Sequence, residues 1–177
     1  AFTENGAAVG LFSSAAASTV ESGQTITDLV FTVTNVAGTG STELIGIDGS
    51  SIALTNGAAG TTTTNSLTYG VSLSTGTATF TLSGMTLETA DLQTLGDNLT
   101  YDNTSEDPGS SSRGVTITSV TDSGSNTDSN DNVAALSIAS TVTMTEVNDE
   151  PTLTATGSDP AFTENGAAVG LFSSAAA

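Results

Sequence analysis

Nearly all the chemistry open to this sequence is carboxylate chemistry. Nineteen Asp and Glu face one basic residue, Arg113, with no His, Cys or Trp, for a formal net charge of −18 over 177 residues. Without His or Cys there is no Ser–His or Cys–His nucleophile and no zinc site. Without Lys no phosphate loop of the G-x-x-x-x-G-K-[ST] type can be completed. Paired carboxylates can hydrolyse glycosides, but such sites hold sugar rings on aromatic side chains. Here six Phe and two Tyr fall mostly at inward β positions. The expectation is a protein that is not an enzyme. Carboxylates and amides are, however, hard oxygen ligands, and Ca²⁺ takes roughly six to eight oxygens.

The acidic residues form three clusters. Glu146-Val147-Asn148-Asp149-Glu150-Pro151 is the first; it reads as a polar elbow at a domain boundary, in which Pro151 ends a strand. The second is DSGSNTDSNDN, residues 122–132, with Asp122, Asp128 and Asp131 among Gly, Ser and Asn. It lacks the EF-hand spacing and final Glu, so a calcium loop and a solvated hairpin loop both stand. The third, Asp102, Glu106 and Asp107 ahead of Pro108, reads as a solvated turn. The acidity excludes the footprint of a nucleic-acid binder and argues against docking on anionic lipid. No stretch is long and apolar enough for membrane insertion.

The elements that must position these clusters follow from a repeat. Residues 1–17, AFTENGAAVGLFSSAAA, recur letter for letter as residues 161–177, an offset of 161 − 1 = 160. That period exceeds the roughly 20–50 residues of a solenoid unit and suits a whole domain. Residues 1–150 are expected to be one β-sandwich repeat, and 151–177 the linker and first-strand start of the next. Residues 152–177 are expected to extend as that next domain's edge or to pack on a neighbouring chain.

Within the period, apolar residues alternate. Ile26 to Val36 reads as a strand with one face buried and a bulge near Asp28. Glu43–Ile47, the turn Asp48-Gly49 and Ser51–Thr55 form a hairpin. Leu67, Tyr69, Val71 and Leu73 share a face, Ser74-Thr75-Gly76 turns the chain, and Ala78, Phe80 and Leu82 return inward. Leu87, Leu92 and Leu95 fall at helical spacing in Thr86–Leu95, predicting a helix of about two turns. Strands resume at 99–101, 115–120 and 133–147. The count fits an all-β, two-sheet antiparallel sandwich with one short helix.

At the junction the sequence resembles a family. VNDEP, followed a dozen residues later by FTEN, resembles the linker and first strand of cadherin-like domains, whose linker reads D-x-N-D-N-x-P. The full period is similar to the cadherin-like tandem repeats of giant bacterial surface adhesins and biofilm proteins of the RTX type. FTENGAAVGLFS, ITDLVFTVTN, LQTLGDNLTYDNTSEDP and VTITSVTDSG carry that likeness. The resemblance implies an Ig-like or cadherin-like sandwich, an extracellular or bacterial cell-surface location, and Ca²⁺ at the joints. By position it assigns Glu4 and its copy Glu164 to the first-strand ligand, Glu146 to the first linker acid, and Asn148 and Asp149 to the central pair. Glu150 stands where the last Asn would. The family's D-x-D pair is replaced by Asn35 and Ala37, and its D-R-E triplet is absent, so fewer or weaker ions are implied.

The leading expectation is a structural extender whose calcium-rigidified joints hold neighbouring repeats of the same chain in line. The alternative is a repeat of an extracellular filament, sheath or surface layer with lateral self-association. Scarce Trp and Tyr speak against a glycan-binding module.

Overall fold

A computed structural model describes residues 1–127 and 131–176. The chain divides into two compact units, Ala1–Glu146 and Val147–Ala177. The first is an all-β sandwich of antiparallel sheets with one short helix. Its larger sheet contains β3 (Ile26–Thr34), β6 (Ala59–Thr61), β7 (Thr68–Ser74), β8 (Thr77–Ser83), β10 (Arg113–Asp122) and β11 (Val133–Val142). They lie in the order β11-β10-β3-β8-β7-β6. The smaller sheet sets β2 (Val9–Gly10), β9 (Thr100–Asn103), β4 (Glu43–Ile47) and β5 (Ser50–Ala53) side by side. A parallel pair, β1 (Phe2–Thr3) and β12 (Met144–Thr145), ties the start of the unit to its end.

Period-two alternation delivers one face of each strand to the core. In β8, Ala78, Phe80 and Leu82 are fully buried, and opposite them Phe31 and Val33 of β3 are too. Phe31 stacks on Phe80 with ring centroids 4.8 Å apart. Phe2 meets the ring of Tyr101 edge-on at 5.9 Å. Two hairpins turn through two residues of positive φ, Asp48-Gly49 (47°, 75°) and Thr75-Gly76 (51°, 71°). This twist matches that of the flanking strands. The irregularity near Asp28 is present: Thr121 pairs with Asp28 but Asp122 with Ile26.

The helix and the last long strand depart from the sequence expectation. The helix α1 runs Thr89–Asp97, not 86–95, because Leu87 is held in a β-bridge to Ile26 and the helix starts only after Glu88. Leu95 is its buried residue, and Asp91 lies in the first turn, where the helix dipole favours an acid. The segment 133–147 is not one strand. It breaks after Val142, leaves the larger sheet, and resumes as β12 beside β1.

The second unit holds an antiparallel pair, β13 (Thr154–Gly157) with β14 (Phe172–Ala176). Its apolar side chains are largely in solvent, Leu153 at 76% and Phe172 at 69%.

Candidate functional site

The sole Arg is not a surface group. Arg113 and Glu43 are both buried and form the one ion pair among the described residues. The guanidinium grips the carboxylate through two bonds, Nε to Oε2 at 2.9 Å and Nη2 to Oε1 at 3.0 Å. It also donates to the carbonyls of Pro108 (2.9 Å) and Ser111. Glu43 accepts further bonds from the Tyr101 hydroxyl at 2.8 Å and the Ala37 amide at 2.6 Å. Paired, fork-like geometry of this kind is what a buried charge requires. Burial first, then the neighbouring Glu43 charge, push the Tyr101 hydroxyl's pKa up. Burial works against the charged guanidinium, but the bonds and charge of Glu43 outweigh it and hold Arg113 above its ordinary pKa. The network bolts β4, β9 and β10 together and fastens the loop 104–112. It is structural, and it removes the only Lys or Arg from any role at the surface.

The sequence holds no second Lys or Arg and no His, so carboxylates are the dominant charged groups of the chain. The most confined after Glu43 is Glu4, 4% exposed, directly after β1. Its amide donates to the Thr145 carbonyl at 2.9 Å, so it sits beside the point where the chain leaves the first unit. A carboxylate oxygen of Glu106 lies within 4.8 Å of one from Glu4. Asn5 Nδ2 donates to Glu106 Oε2 at 3.1 Å. Asn5 reaches it because the Asn5-Gly6 turn takes φ 58° at Asn5. Gly6 must be glycine, since a Cβ there would lie 2.6 Å from the Thr3 oxygen. Two carboxylates at this distance repel, and a divalent cation taking oxygen from both relieves the repulsion.

The other candidates are distributed as follows. Glu146 is exposed and ends the first unit. Asn148, Asp149 and Glu150 are exposed in the second unit, where Asn148 Nδ2 donates to the Asp149 carbonyl at 3.1 Å. Glu164 is exposed in a turn of the second unit. Asp122 and Asp131 do share one cavity of about 360 Å³, with Glu21, Gln24 and Asn132. Each also closes a turn: Asp122 Oδ1 accepts from the Gly124 amide at 2.7 Å and Asp131 Oδ1 from the Val133 amide at 2.9 Å. Asp128 lies outside the described residues.

Glu106 reads in the sequence as part of a solvated turn, and it is exposed in a bend of the fold. It stands 102 positions from Glu4, and only the fold brings them together. Glu21 and Gln24 were missed for the same reason. No family model, curated protein or solved structure matches this chain. Among the described residues no helix is long and apolar enough to cross a membrane.

Proposed function

We propose that the chain is a structural extender repeat of a large secreted or surface-anchored bacterial adhesin, with Ca²⁺ stiffening the joint between successive domains. The observation that carries this reading is the pair Glu4 and Glu106, set at the end of the first unit where the chain leaves it. The donors present are carboxylate and amide oxygens, the set a hard divalent cation takes. In the sequence, Glu146, Asn148, Asp149 and Glu150 directly follow Thr145 and are further oxygen donors of the same kind. A linker held to the first strand in this way loses hinge freedom. The acidic surface keeps copies apart until the cation arrives. The exact recurrence of residues 1–17 supports an array of such domains.

Thermal melts in millimolar calcium and in excess EDTA test the proposal. Saturation at a hundredfold Kd adds about 2.7 kcal/mol, which raises Tm by about 5–10 °C for a unit of this size. Glu4→Gln and Glu106→Gln should abolish the rise while Glu164→Gln keeps it. Identical melts of the unaltered chain in both buffers would refute the calcium joint.

A further inference from the structure

The sequence FSSAA occurs twice, as residues 12–16 and 172–176. In the second unit it is strand β14, paired antiparallel with β13 through Thr154↔Ala176, Thr156↔Ser173 and Gly157↔Phe172. In the first unit the same five residues pair with no strand among the described residues. They are tied instead to α1, where Asp97 accepts from the Ala15 amide at 2.7 Å and Gln93 donates to the Ala17 carbonyl at 3.2 Å.

Next to them lies an apolar groove of about 490 Å³. Residues of β10 and β11 line it, Ile117, Val120, Leu136 and Ile138 among them. Ile138 is 50% exposed, and β11 is the edge of its sheet. An apolar groove beside a segment that pairs with no strand is a setting for strand addition, in which main-chain bonds give affinity and pockets take alternate side chains.

We infer that this groove is an acceptor site for an extended strand of the sequence Thr152–Gly157, delivered by a second copy of the chain. Three observations name that occupant. The partner of FSSAA in the second unit is the end of this stretch, Thr154–Gly157. Its sequence, TLTATG, is uncharged, so it can enter a groove on a strongly acidic protein. Its Leu153 is 76% exposed at home. The exchange is nearly neutral in pairing, because donor and acceptor present the same five residues to it. It gains at the groove, which offers apolar cover that the second unit does not. Leu171 and Phe172 there are 64% and 69% exposed, whereas Leu11 is 6% exposed and Phe12 half-buried in the first unit. Such an exchange is heterologous, with the tail of one copy on the head of the next, and it generates rings where the rotation closes and open chains where it does not. It is independent of the calcium joint.

Sedimentation velocity on the full 177-residue chain, in EDTA and again in calcium, is the test. Association should rise with concentration and with salt, which screens the acidic surfaces. Leu153→Asp (donor) and Ile138→Asp (acceptor) each alter an exposed side chain and should each weaken association on the order of tenfold or more. A mixture of the two variants should form dimers and stop there, since only one productive pairing remains. A labelled peptide of sequence TLTATGSDP should bind the unaltered chain and the donor variant, but not the acceptor variant. Association that survives Leu153→Asp but not Ile138→Asp would mean that β11 edges pair with each other, and would overturn the inference. So would the absence of both association and peptide binding.

Discussion

Residues 1–17 and 161–177 have the same sequence and two different environments. Phe2 is fully buried and Phe162 is 64% exposed. Leu11 is 6% exposed and Leu171 64%. Glu4 is enclosed and Glu164 is in solvent. One feature is common to both copies. Asn5 and Asn165 each take φ 58°, and the amides of Gly6 and Gly166 each donate to a carbonyl three residues back at 2.8 Å. The Asn-Gly turn is encoded within a few residues and forms wherever the sequence occurs. The strand before it is not, because β1 exists only where Met144 and Thr145 lie alongside. Turn chemistry is local, whereas burial and pairing are delivered by the rest of the domain.

The largest expected break in this comparison is Phe2→Ala against Phe162→Ala. The first removes a buried ring and its edge-on contact with Tyr101, and should destabilise the first unit by about 3–5 kcal/mol. The second should change stability by less than about 0.5 kcal/mol. Paired denaturant titrations measure both, and similar losses would mean that the copies are equivalent after all.

Arg113→Met attacks the scaffold that orders the first copy. It leaves Glu43 buried without its cation and should lower stability by about 3–4 kcal/mol. The backbone signals of residues 1–11 should then come to resemble those of 161–171 in NMR spectra before the whole unit unfolds.

Alkaline pH gives the smallest effect. Tyr101 holds its proton more tightly in the fold than at its ordinary value of 10.0. A group with a raised folded pKa contributes stability that is complete below its unfolded value and declines above it. Melts should therefore be flat between pH 8 and 9 and fall as pH rises beyond about 10. A Tyr101→Phe chain should show a weaker decline.

Much of the sandwich was legible in the sequence because its signals are short-range. Asp48-Gly49 and Thr75-Gly76 mark hairpins, and Ala78, Phe80 and Leu82 alternate inward as the pattern requires. The helix was legible as a helix but not at its start, since Leu87 satisfies helical spacing and a β-bridge equally well, and Ile26 decides between them. Two features had no local signal at all. Glu43 and Arg113 are 70 positions apart, so nothing in SRG or in TELIG marks them as partners. Glu106 reads as one more acid in a turn until the fold sets it beside Glu4.

The enclosure of Arg113 also determines how the molecule meets proteases. Enzymes that cut after Lys or Arg have one target bond in all 177 residues, and it begins at a side chain that is 1% exposed on an inner strand of the larger sheet. Cleavage there must wait for the first unit to open, because a bond inside a paired strand cannot be drawn into an active-site cleft. The folded chain is thus invisible to that whole class of peptidase. Its breakdown by them is governed by how often the sandwich comes apart.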